Sequence, residues 1–187
     1  MKDVWRKKRS IMRRYDITAP MYEVRYCGEQ TAKIEAALAH LEIGENASVL
    51  DVGCGTGLLF SHLAHRRQGT IVGVDISKKT LIQAKARSNG LSKVHLLLGD
   101  ADYLPFRDHV FEHVFAFTLI QNMPNPLESL KELRRVNVPH GRLIVTGLKS
   151  IFTREQFRNL LSDAGLCAAA MEEDGLRCYV AVCVTFD

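Results

Sequence analysis

Asp51 stands two residues before three alternating glycines, Gly53, Gly55 and Gly57, and a second acid, Asp75, follows 18 residues after the last of them. A glycine has no Cβ, so such a loop can turn tightly and bring its backbone close to a ligand. A helix opening directly after the loop offers unpaired N–H groups and a positive dipole end to something anionic. An acid closing the next strand can accept from both hydroxyls of a ribose. The bland alternatives are a plain strand-to-helix turn and, for Asp75, a helix N-cap, a task Ser77 could equally perform. A third acid lies in Gly99-Asp-Ala-x-x-Leu-Pro-Phe106, where Asp100 is either a ligand acceptor or part of a simple Asx turn.

These residues need a scaffold, and the pattern supplies one. Val49 to Val52 is a short apolar strand run, and the apolar residues after Gly57 recur at helical spacing. Thr70 to Asp75 reads as a second strand, Lys78 to Asn89 as a helix stopped by Gly90, and Val94 to Leu98 as a third strand. His113 to Leu119 is a near-continuous apolar run suited to the centre of a sheet. Pro126 to Val136 is a helix entered through Asn125 with a proline at its first position. Val138 to Thr146 is a fifth strand, and Arg154 to Ala164 a helix stopped by Gly165. Cys167 to Glu173 and Cys178 to Phe186 are strands around a turn at Asp174-Gly175. Glu29 to Leu41 is a helix with Ile34, Leu38 and Leu41 facing inward.

The spacing Asp51-x-Gly53-x-Gly55-x-Gly57 differs from the dinucleotide fingerprint, which places its third glycine one residue later. It resembles the first motif of the class I (Rossmann-like) S-adenosylmethionine-dependent methyltransferases. The resemblance extends from about residue 15 to 187 and includes the Gly99 to Phe106 run and the Val136-x-x-Pro-x-Gly-Arg-Leu signature. It implies an α/β fold: a single doubly wound seven-stranded sheet, mostly parallel with the last strand antiparallel, and helices on both faces. It also implies S-adenosyl-L-methionine as cofactor, with Asp75 on the ribose, Ile76 against the adenine, and Asp100 and Ala101 at the adenine edge. Asp51, Gly53, Gly55 and Gly57 belong to the same site, as does Thr118 at the end of the fourth strand. Tyr15 and Tyr22 map to a segment that folds over the methyl donor in this family.

The sulfonium methyl of such a cofactor is already activated, so alignment of the acceptor matters more than a strong base. Asn122, Tyr22 and Asp16 are the candidates for that catalytic role. Gln121 and Asn122 lie at the carboxyl end of a central strand, where open α/β sheets bind substrates. The loop Ile120 to Pro126 lacks the aromatic of the amino-directed base methyltransferases, so it fits a turn leading into a helix equally well.

The excess charge sits at the N-terminus. The first 14 residues carry Lys2, Arg6, Lys7, Lys8, Arg9, Arg13 and Arg14 against Asp3 alone, while the whole chain is only +4. A solvated lead-in is one reading of this basic helical arm. A phosphate-gripping arm with an interleaved Trp5 is the sharper one. The latter favours an RNA base as methyl acceptor, held through Arg6, Lys7, Lys8, Arg9, Arg13 and Arg14. A small-molecule methyltransferase with Tyr15 and Tyr22 as a lid is the alternative, and a non-catalytic cofactor-binding subunit the third. A small activating protein subunit and the oligomeric state remain open.

The 187 residues suit an arm and lid at 1–28 and one methyltransferase domain at 29–187. No apolar run reaches the roughly 18 residues of a membrane span, and no signal-peptide core follows the N-terminus. Five cysteines without metal-site spacing point to reduced thiols and a cytoplasmic protein. His109 and His113 are four apart with no further ligand beside them, so no metal is expected.

Overall fold

Strand β1 (Val49–Val52) is fully buried and lies near the middle of a seven-stranded sheet in the computed structural model. That structure describes residues 2–63, 69–91 and 93–186; for residue 2 and residues 18–26 only the backbone is described. Around β1 run β2 (Ile71–Asp75), β3 (Val94–Leu98), β4 (Phe111–Ala116), β5 (Asn137–Leu148), β6 (Leu166–Glu172) and β7 (Cys178–Thr185). Their order is β3-β2-β1-β4-β5-β7-β6. The first five pair in parallel, and β7 runs antiparallel to both β5 and β6. The doubly wound sheet expected from the sequence is therefore present. Chain order reverses at β1, which places a crevice at the carboxyl ends of β1, β2 and β4.

Among the described residues the helices are α1 (Lys2–Leu38), α2 (Leu58–Leu63), α3 (Lys78–Arg87), α4 (Pro126–Val136) and α5 (Arg154–Asp163), with a 3-10 turn at Ile120–Asn122. Each face of the sheet carries its own core. On one, Leu130, Leu133, Phe157 and Leu161 pack against Leu50, Val114 and Leu143. On the other, Ile34, Ala37, Leu59, Phe60 and Ala84 pack against Val49, Ile71 and Phe115. Residues 53 to 57 cross between the layers, and Phe60 fills the space left by glycine. A Cβ on Gly57 would stand 2.5 Å from its ring.

Three expectations are corrected. The arm, the lid segment and the helix at Glu29 to Leu41 form one continuous helix, α1, which also runs through the boundary expected at residue 28. The fourth strand ends at Ala116, not Leu119, because Thr118 adopts φ +57 and turns the chain away from the sheet. The fifth strand is longer than expected, from Asn137 to Leu148, with a register shift against β4 near its start.

Candidate functional site

The glycine loop is fixed from below by β2. Gly53 N–H and Cys54 N–H both donate to Val74 O, at 2.7 and 3.1 Å. Gly53, Gly55 and Gly57 all have positive φ, and at Gly55 nothing lies within 4 Å of where a Cβ would be. Asp75 then ties the loop to the start of α3. Its Oδ2 accepts from Gly55 N–H at 2.9 Å, and its Oδ1 from Ser77 N–H at 2.8 Å and Thr80 Oγ1 at 3.1 Å. A carboxylate offers about four acceptor positions, so roughly one, on Oδ2, remains for a ligand hydroxyl. Ser77 caps α3 through Thr80 N–H, so Asp75 is not the helix cap.

Asp51 lies beneath the loop, 3% exposed. Burial pushes its carboxyl up to about 8, and the like charge of Asp75 adds to the shift. Burial raises Asp75 as well, against three hydrogen bonds that pull it down. Two acids share this end of the cleft, and both gain from a cation placed between them. Burial also raises Cys54 well above the ordinary thiol range, which leaves it protonated and inert.

At the other end of the same cavity stand Ile76, Gly99, Asp100 and Ala101. Their loop is held by Arg135, which donates to Leu104 O, Phe106 O, Asp108 and Glu132. Here the arm intrudes. Lys8 Nζ lies 2.7 Å from both oxygens of Asp100 and 2.5 Å from Asp102 Oδ2, with its side chain 4% exposed. The ammonium also sits 5.5 Å from the ring centres of both Trp5 and Tyr103. A buried lysine holding two acids pins α1 across the cleft.

The third wall is polar and belongs to α1 and the loop after β4. Asn122 Nδ2 donates to Tyr15 Oη at 3.0 Å and to Thr118 O at 2.8 Å, while its Oδ1 accepts from Arg14 at 2.7 Å. Burial raises the Tyr15 phenol. Thr118 N–H donates to Thr146 Oγ1 at 2.7 Å. The Thr118 hydroxyl meets Gln30 Nε2 at 3.1 Å and Lys33 Nζ at 3.4 Å, and Lys33 is buried against Glu29. A β-branched residue with positive φ is strained, and strain of this kind gathers at functional sites. Ile11, Ile34, Phe117, Leu119 and Met123 make the remaining wall apolar.

One cavity thus brings together Tyr15, Asp51, Gly53, Gly55, Asp75, Ile76, Asp100, Ala101, Thr118 and Asn122. Gly57 shapes the helix start behind it. Asp16 is placed elsewhere: it accepts from Ser77 Oγ at 2.5 Å, on the α3 side of α1 and away from Asn122. The Tyr22 side chain lies outside the described residues. Among the described residues no group of His, Cys, Asp and Glu could hold a metal. Gln30 and Lys33 were not singled out in the sequence, and Lys8 stands out there only as a phosphate-gripping residue of the arm, not as a partner of Asp100 and Asp102. Gln30 had a signal, since it lies four residues before the inward-facing Ile34. Lys8 had none, because its partners are 92 and 94 positions away.

Comparison with known proteins matches residues 50–145 to the family described as Methyltransferase domain. A malonyl-[acyl-carrier protein] O-methyltransferase of Marinomonas sp. is 32% identical over 142 residues, covering 75% of this chain and 52% of that one. A demethylmenaquinone methyltransferase of Staphylococcus haemolyticus is 35% identical over 107 residues, covering 56% and 44%. The chain therefore spans about half the length of the curated relatives it matches. A crystal structure of an S-adenosylmethionine-dependent methyltransferase from Aquifex aeolicus shares the fold with TM-score 0.73 and 23% identity, covering 81% of this chain and 88% of that one.

Proposed function

Because the chain belongs to the class I S-adenosylmethionine-dependent methyltransferases, we propose that it transfers the cofactor's methyl group to a small-molecule acceptor enclosed beneath α1. The observation that carries this reading is the inward use of the arm. Lys8 is committed to Asp100 and Asp102, Lys7 Nζ donates to Met123 O at 2.9 Å, and Arg14 donates to Asn122. A helix anchored at these points roofs the cavity, and its Ile11, Tyr15, Cys27, Gln30 and Ile34 line it. The named relatives act on malonyl-[acyl-carrier protein] and demethylmenaquinone, neither of which is RNA.

The residues present fit S-adenosylmethionine. Gly55 carries no Cβ to obstruct the cleft, Asp75 keeps an acceptor position for the ribose, and Asp51 lies where a cation is favoured. When bound, the cofactor supplies an electrophilic methyl group. The chain's own part is to exclude water with α1 and to hold the acceptor against the polar wall. Asn122 has both amide hydrogens engaged, so it orients an acceptor through the second lone pair of Oδ1 or through Tyr15. Tyr15, hydrogen-bonded to Asn122, is a group on that wall able to pass a proton. No strong base faces that wall among the described residues, which suits an acceptor that is already nucleophilic.

An RNA acceptor is the second reading, and one observation favours it: Arg6, Arg9 and Arg13 line a surface depression of their own on the outer side of α1. Methyl transfer from labelled cofactor to a small-metabolite extract and to total RNA separates the two. The small-molecule reading expects label in the extract, unchanged when Arg6, Arg9 and Arg13 all become Gln. Label in RNA that is lost in that triple variant establishes the other. A cytoplasmic location and a small activating subunit stay proposals. Among the described residues no helix is long and apolar enough to cross a membrane.

A further inference from the structure

The two edges of the sheet are built differently. β6 has a register shift between Ala168 and Ala170, ends at Glu172 with Glu173 and Asp174 directly after it, and is tethered by His40 to Glu172 at 2.8 Å. A bulge and acids are standard protection for an edge. β3, at the opposite edge, has none. Its five residues Val94 to Leu98 pair with β2 without a shift and contain neither proline nor acid. Its main neighbours are β2 and α3. The pairing also fixes which backbone groups face out. Lys93 O accepts from Ile71 N–H, and Gly99 N–H donates to Asp75 O, so odd-numbered residues face β2. Leu96 and Leu98 therefore present N–H and C=O outward, a ladder position that no described strand fills.

The surroundings are apolar and basic together. Of the nine exposed large apolar residues among those described, Leu98 is on β3, Ile82 on the adjoining α3 and Tyr103 just beyond the strand, with Trp5 joined to Tyr103 through Lys8. Residues 76 to 99 contain Lys78, Lys79, Lys85, Arg87 and Lys93 and no acid. Residues 154 to 186, which carry α5 and the strands of the other edge, have five acids against three arginines. A second copy is a poor occupant of β3: a two-fold β3 pair would set two basic segments side by side, and the bulge on β6 hinders head-to-tail pairing.

We propose that the β3 edge is a docking surface for an acidic protein partner that adds an extended segment to the sheet beside Leu96 and Leu98. Main-chain bonds supply the pairing, and the partner's acids face Lys85 and Lys93. The proposal is independent of the acceptor's identity.

The test uses the full chain and a fluorescein-labelled octapeptide of alternating valine and glutamate, followed by fluorescence anisotropy. The peptide should bind, and replacing its glutamates by lysine should weaken it at least tenfold. Leu98→Pro removes one outward N–H and no bond to β2, so it should also cost at least tenfold. S-adenosylhomocysteine affinity of that variant should stay within twofold, which reports an intact fold. Lys85→Glu with Lys93→Glu should reverse the preference toward the lysine peptide. On the wild-type protein, hydrogen exchange at Leu96 and Leu98 should slow when peptide is added, a readout that survives if the proline variant misfolds. Absence of binding, or binding indifferent to Leu98→Pro with no protection of those amides, overturns the proposal. A uridine dodecamer that binds more tightly and ignores Leu98→Pro would assign the surface to RNA instead. Concentration-dependent dimers in sedimentation that exclude the peptide would assign it to self-association.

Discussion

The carboxyl of Asp51 makes cofactor binding and folding respond to pH in opposite ways. Burial, with a smaller push from the like charge of Asp75, raises it to about 8. At pH 6 about one Asp51 in a hundred is ionised, and at pH 8 about half. S-adenosylmethionine brings a sulfonium and an ammonium, and a cation beside Asp51 favours its ionised form. If the carboxylate stays ionised in the complex, affinity rises roughly 50-fold from pH 6 to pH 8 and then levels off. Binding at pH 6 then releases close to one proton, which titration calorimetry in buffers of different ionisation enthalpy reads directly. Folding takes the other sign. An acid whose pKa is raised in the folded state stabilises fully below its ordinary value near 4, and that contribution is lost as pH rises through 8. The protein without cofactor should lose about 2 kcal/mol of stability from pH 6 to pH 8. Asp75 shifts in the same direction, so Asp51→Asn is the variant that isolates this group. It should flatten most of both trends. A wild-type affinity independent of pH, or unchanged slopes in Asp51→Asn, refutes the argument.

Asp75→Ala removes the ribose acceptor and the clamp on Gly55, Ser77 and Thr80, so calorimetry should show cofactor binding weaker by on the order of 2–4 kcal/mol. Its melting temperature should fall too, since the clamp is present without ligand. Lys8→Met leaves Asp100 and Asp102 facing each other without their shared cation. Amide exchange along the first four turns of α1 should speed up while exchange in β1 and β4 stays unchanged; equal exchange in both proteins removes the anchor. Asn122→Ala breaks the link between Tyr15 and Thr118 O, and should depress turnover at least tenfold with cofactor affinity nearly unchanged. Full turnover in a folded Asn122→Ala protein takes that residue out of the acceptor wall.

Where the chain's own order decides the geometry, the site could be read from the sequence. A strand, a glycine loop and a helix, followed by a strand ending in an acid, leave little choice in a parallel sheet. β1 and β2 are neighbours in register, so the end of one strand meets the loop after the other, and Gly55 reaches Asp75. The arm had no such rule. Tyr15 and Asp16 are adjacent in sequence, which assigns both to the site, one as lid and one as catalytic candidate, but successive residues on a helix point about 100° apart. Tyr15 consequently meets Asn122 while Asp16 meets Ser77 on the other flank. The same geometry sorts six of the seven basic residues that a charge count treats alike, the Lys2 side chain lying outside the described residues. Lys7, Lys8 and Arg14 turn toward the domain, and Arg6, Arg9 and Arg13 turn away, with Arg6 already 3.1 Å from Asp3. The positive charge free to hold an extended polyanion is thus about half of what the sequence advertised, and the inward half closes a pocket. That division is why the arm reads as a roof over a small acceptor before it reads as a grip on RNA.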